Sequence, residues 1–222
     1  MSTTRVAHSG AQRTSTSAEP SSRRQATRQR LMDAAVELFA ERGVLGSSVE
    51  EICERAGFTR GAFYSNFDSK DELCLAVMQH KCDERLSGMA AAIAVLPEDR
   101  AEVGELDPMI RTAVDVFMQT MPQSATDLVA MMELRLHAMR TPELRPGWIA
   151  LNNAVEQSVV DQLDQALQRA GARLRMPSLD VVHLLVALFE HAVGLRVLGA
   201  DDSSGRLADE MVAVLQALIE PA

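Results

Sequence analysis

The sequence predicts an all-α protein, with a three-helix unit near the N-terminus that contains a helix-turn-helix and a larger helical part behind it. Three observations lead there. Apolar residues recur three and four positions apart through most of the 222-residue chain. Period-two runs of Val, Ile, Thr and Tyr, which mark half-buried strands, are scarce. Between Ser47 and Leu73 the segment SSVEEICERAGFTRGAFYSNFDSKDEL sets two capping signals around a glycine turn. Hydrophobic content of 47% and charged content of 24% exclude a wholly disordered chain, because a core of ordinary size can form.

Residues 1–22 are rich in Ser and Thr, carry Arg5 and Arg13, and predict a disordered tail. A first helix is expected over 24–42, with Leu31, Ala34, Ala35, Leu38 and Phe39 on one face and Gly43 as its stop. Ser48 with Glu51 three residues on forms a capping box that opens the second helix, whose inner face is Val49, Ile52, Cys53 and Ala56. Gly57 supplies the sharp turn, since only glycine adopts positive φ without cost. Phe58 pins that turn, and Thr59 caps the third helix. Phe63 and Phe67, four apart, face inward together, which leaves Arg60, Gly61, Tyr64 and Ser65 facing out. Ser69 and Glu72 make a second capping box and start a long helix over 70–96.

Further on, 97–107 predicts a loop, and Asp107-Pro108 a cap followed by a first-turn proline. Helices are then expected from 108, over 124–139, from the Pro142/Pro146 pair to Gly171, over 178–198 and over 206–219. The run from Val181 to Leu198 is apolar nearly all round. It contains His183, Glu190, His191 and Arg196, which would be costly in lipid, so it predicts a helix buried on both sides within protein and no membrane span.

Net charge is −9, yet residues 1–70 hold ten Lys/Arg against eight Asp/Glu and the remainder twelve against 23. Phosphate attraction depends on local field, because salt screens charges beyond about 8 Å. A mildly basic head on an acidic body is therefore compatible with binding DNA. The third helix suits that purpose. Its N-terminus near Thr59 and Arg60 favours anions. Arg60 can read guanine through two hydrogen bonds. Gly61 and Ala62 allow close approach to base edges. Tyr64 and Ser65 offer hydroxyls, and Lys70 and Ser48 can pair with the phosphate backbone and so position the helix without reading sequence.

The stretch 25–78 resembles the DNA-binding domain of TetR-type transcriptional regulators, through AAVELFAERG (Ala34 to Gly43), SSVEEICERAGFTRGAFYSNF and Ser69-Lys70-Asp71-Glu72-Leu73. Asn66 stands where many relatives carry His or Tyr. The resemblance implies a helix-turn-helix domain at 23–70 and a helical regulatory and dimerisation domain at 71–222. It implies a homodimer on a palindromic double-stranded operator, formed through 178–198 and 206–219, and a repressor released by a small-molecule effector. The alternative is a DNA-binding regulator governed by a protein partner without an inducer.

Twelve methionines suit an adaptable apolar cavity. The candidates for lining it are Phe117, Met118, Met121, Met132, Met139, Trp148 and Phe189, with Asn152 and Arg135 as polar members; plain core explains a methionine stripe equally well. No phosphate-binding glycine loop, nucleophile elbow, HExxH or CxxC occurs, so no enzyme, cofactor or metal is expected. His183 and His191, roughly 80° apart around their helix, make no chelating pair, and His137 completes no ligand-spaced motif. Cys53, Cys74 and Cys82 lie in helical patterns without a secretory segment. They read as free thiols of a cytoplasmic protein, used for packing, with oxidant sensing by Cys74 and Cys82 as the other possibility.

Overall fold

The computed structural model describes residues 19–94, 106–122, 124–199 and 204–222. In these, helices follow one another as α1 (Glu19–Arg42), α2 (Val49–Ala56), α3 (Arg60–Tyr64), α4 (Lys70–Ala94), α5 (Leu106–Thr120), α6 (Ala125–Arg140), a 3-10 turn (Pro142–Leu144), α7 (Arg145–Arg169), α8 (Ser178–Val197) and α9 (Ser204–Leu218). The expected tail lies outside the described residues up to residue 18, but 19–22 are already helical. Pro20 is compatible with that start, because a first helical turn has no use for its missing N–H. The expected loop 97–107 lies outside the described residues up to 105. Leu106 and Asp107 belong to α5, so Asp107 sits in the first turn and is not its cap.

Among the described residues one departure from all-helical structure occurs. Ala172–Leu174 (β1) pairs antiparallel with Ile219–Pro221 (β2), which ends α9 one residue before the expected Ile219. Gly171 turns the chain into β1 with φ +61°, and its carbonyl accepts from the Ala222 N–H at 2.9 Å.

Two cores result. The first gathers Leu31, Leu38 and Phe39 of α1, Ile52 of α2, Phe63, Phe67, and Leu73 and Val77 of α4. It also takes Ala130 and Leu134 from α6, far along the chain. The second joins Ile110, Val114 and Phe117 of α5, Leu128 of α6, Val181, Leu185, Phe189 and Val193 of α8, and Leu207, Met211 and Leu215 of α9. The burial of α8 on both sides expected from its sequence is met on one side only. Leu184, Leu195 and Leu198 on its other flank are 43%, 44% and 84% exposed.

Candidate nucleic-acid interface

The turn between α2 and α3 is built by local rules. Ser48 Oγ accepts from the Glu51 N–H at 3.2 Å, and the Glu51 carboxylate accepts from the Ser48 N–H at 2.8 Å, which completes the capping box. Those Ser48 contacts hold Glu51 below the usual carboxylate pKa, with Arg42 adding to them at 2.6 Å. Gly57 closes α2 at φ +72°, its N–H donating to Glu54 and that of Phe58 to Cys53. Arg30 of α1 donates to the Ala56 carbonyl at 2.7 Å and lies 4.7 Å from the Phe58 ring centre, fastening the turn from outside. Thr59 Oγ1 then accepts from the Ala62 N–H at 3.2 Å and starts α3.

The aromatic anchors lie as their spacing requires. Phe63 is fully buried and Phe67 nearly so, with ring centres 5.6 Å apart. Tyr64 stands edge-on to Phe63 and is 49% exposed. Ser48, Thr59, Arg60, Gly61 and Ser65 are also exposed, and Ala62 is half-buried. The Arg60 guanidinium is held by Glu50 of α2 at 2.6 Å and lies over the Tyr64 ring. Tyr64 first, and then Glu50, push its pKa upward.

Two predicted members of this surface are placed otherwise. Asn66 is buried; its amide donates to the Ala62 carbonyl at 2.8 Å, and the short αR turn after α3 folds the side chain inward. Lys70 is half-buried and turned back onto the chain. Its ammonium donates to the carbonyls of Val44 at 2.8 Å and Ser47 at 2.9 Å, closing the loop that α1 leaves before α2. The Ser69 box is also rearranged. Ser69 Oγ accepts from the Glu72 N–H, but Glu72 takes the Asp68 N–H in place of that of Ser69.

Sequence reasoning missed the part played by α1. Arg24 and Arg28, one turn apart, donate to the carbonyls of Ser65 at 3.2 Å and Asn66 at 2.6 Å, and Arg28 lies 4.1 Å over Phe67. The available signal was their i, i+4 spacing on the same face of α1 as the apolar stripe, one turn and more ahead of Leu31. Between the start of α1 and α3 lies an open concavity of about 720 Å³, with Arg23, Arg24, Thr27, Phe58, Ala62 and Ser65 on its walls.

The candidates for an effector pocket divide. Phe117, Met121 and Phe189 are buried in the second core, with Met118 and Met132 packed against it. Met139 is 63% exposed near the end of α6, on the outer flank of a turn whose inner flank is His137 and Ala138. Trp148 packs on the first core, not the second. Asn152 is exposed and donates to Glu156 of its own helix, and Arg135 is paired with Glu190 at 2.9 Å. A group the sequence did not single out lies deeper. Among the described residues Arg85 Nε is buried without an acceptor, and the guanidinium meets the Met121 sulfur at 3.7 Å. Burial lowers its pKa.

His137 completes no ligand-spaced motif in the sequence, yet the fold gives it neighbours of ligand type. The fold brings Asp71, Cys74 and His137 together, one donor atom of each within 4.8 Å of the others. Spacing along one helix cannot reveal this, since α4 and α6 each supply part.

Residues 31–77 match the family model for bacterial regulatory proteins of the tetR family. Over 90 residues the chain is 36% identical to the HTH-type transcriptional activator FasR of Mycolicibacterium smegmatis, a match covering 40% of this chain and 38% of that one. It is 29% identical over 193 residues to the HTH-type transcriptional regulator TtgR of Pseudomonas putida, covering 83% and 86%. The fold matches that of a TetR-family transcriptional regulator from Mesorhizobium loti with a TM-score of 0.67 at 21% identity, over 88% of this chain and 96% of that one. The capped helix-turn-helix at the front is thus similar to the DNA-binding domain of tetR-family regulatory proteins over residues 31–77, and the helical fold as a whole is the one that solved TetR-family regulators share.

Proposed function

We propose that the protein is a cytoplasmic, homodimeric repressor that binds a palindromic operator through 23–70 and is released when a small molecule enters the domain formed by 71–222. The observation that carries this reading is the outward face of α3. Thr59, Arg60, Gly61, Tyr64 and Ser65 share one exposed surface while Phe63 and Phe67 hold the helix from behind. A rigid helix with a polar outer flank fits the major groove. Arg60 reads a base once DNA takes the place of Glu50, Tyr64, Ser65 and Ser48 meet phosphates, and Gly61 and Ala62 let the backbone approach. Pairing of two copies through α8 and α9 is supported by the leucines that α8 leaves open at Leu184, Leu195 and Leu198. An effector placed beside Phe117, Met121 and Phe189 would act next to α6, which also enters the core beneath α3.

The test is a mobility shift on duplex DNA from the region upstream of the protein's own gene. The wild-type chain retards the duplex; Tyr64→Ala combined with Arg60→Ala weakens the shift at unchanged helicity. An undiminished shift places the contact on another surface.

A further inference from the structure

We propose that Asp71, Cys74 and His137 bind a zinc-class transition-metal ion at the joint between α4 and α6. Asp71 and Cys74, three apart in the first turns of α4, lie on one flank of it. His137 comes from the last turn of α6 and is 8% exposed. Its Nε2 lies 2.8 Å from the Asp71 carboxylate, and Nδ1 has no partner among the described residues, so the contact through Nε2 alone sets the ring's direction, into the cluster.

The donor set has the right chemistry. Thiolate, imidazole and carboxylate are the ordinary ligands of zinc. One thiolate, one carboxylate and a neutral imidazole around a divalent cation sum to zero charge, which removes the penalty of burying an ion there. A tetrahedral ion with bonds of about 2.0–2.3 Å spaces its donors roughly 3.3–3.8 Å apart. The three atoms, mutually within 4.8 Å, need only small side-chain rotations to reach that spacing. Asp71 keeps 46% of its side chain exposed, which provides a path for the ion and a fourth position for water. Burial pushes the Cys74 thiol up to about 12, so binding at neutral pH must release its proton to solvent as the metal–sulfur bond forms. The site begins five residues after the Asn66 that Arg28 holds, so an occupied site would fix the start of α4 against α6 just behind the outward helix.

The experiment titrates the metal-free full chain with Co²⁺, followed by visible and near-ultraviolet absorption. The expected result is saturation at one ion per chain, intense d–d bands of a tetrahedral ion and a sulfur-to-cobalt charge-transfer band, all displaced by Zn²⁺. Cys74→Ser abolishes the sulfur band, whereas Cys82→Ser leaves the spectrum as it was. Asp71→Asn, a change at a half-exposed side chain that preserves the circular dichroism, weakens Co²⁺ by about tenfold or more. The proposal is overturned by the absence of a sulfur band, by its survival in Cys74→Ser, or by unaltered affinity in Asp71→Asn; the last keeps the question answerable should Cys74→Ser fail to fold.

Discussion

The two cores differ in how completely a single chain finishes them. Around the first, fastening groups meet the loops. Lys70 takes two carbonyls of the α1–α2 connection, Arg30 one at the end of α2, and Arg24 and Arg28 those just after α3. Nearly all its large residues are fully buried. The second core has as much apolar material but covers only one side of α8, leaving leucines outside and, among the described residues, Arg85 Nε buried without an acceptor. The lesson is that the helix-turn-helix unit is closed by its own loops and by residues borrowed from α6, whereas the larger unit leaves apolar surface whose energy is realised only against something else.

That contrast can be broken at either end. The largest effect is expected from Leu195→Glu. If α8 meets its own copy, the substitution places unpaired charges in the interface, costing about 3–5 kcal/mol. Sedimentation equilibrium should then report half the wild-type mass with the fold intact; an unchanged mass removes the pairing surface from α8. Next comes Phe63→Ala. It empties the centre of the first core and should cost roughly 3–5 kcal/mol in denaturant unfolding. Lys70→Ala should cost about 1.5–3 kcal/mol of stability through the two carbonyls of buried Val44 and Ser47 that it leaves unpaired, and its loss of DNA affinity should follow the loss of folded protein. A large affinity loss at full stability would restore Lys70 to the DNA surface. Arg60→Ala should cost about 1–3 kcal/mol in binding to the operator and almost nothing in melting temperature.

The smallest effect is on acid stability. Glu51 has its folded pKa depressed by Ser48, so its contribution is present above the ordinary carboxylate range and fades as pH falls through the folded value. Glu51→Gln should therefore flatten the acidic limb of a plot of melting temperature against pH. A limb of unchanged slope would mean that the cap contributes nothing through its charge.

Much of the first unit was legible because its rules are local. Ser48 with Glu51, Gly57, Thr59 and the Phe63/Phe67 pair each declare themselves within four residues, and each occupies the place its neighbours dictate. What escaped depends on partners distant in sequence. Lys70 looks like a surface cation until Val44 and Ser47 are folded against it, and Asn66 like a surface amide until the turn after α3 carries it inward. Trp148 carries no mark of which core it will join. Arg85 and the Asp71–Cys74–His137 group are products of helix packing and leave no period in the chain. The ribbon at 172–174 escaped because a three-residue strand is too short to alternate.

α6 is shared between the two cores: Leu128 sits in the second, Ala130 and Leu134 in the first. It therefore packs in both cores at once, and its rotation about its own axis would be felt in each. Inserting a single residue after Met132 would turn Leu134 by roughly 100° relative to Leu128 while leaving every other helix its own sequence. Such a chain would keep Leu128 and Ala130 in place and carry Leu134 out of the first core.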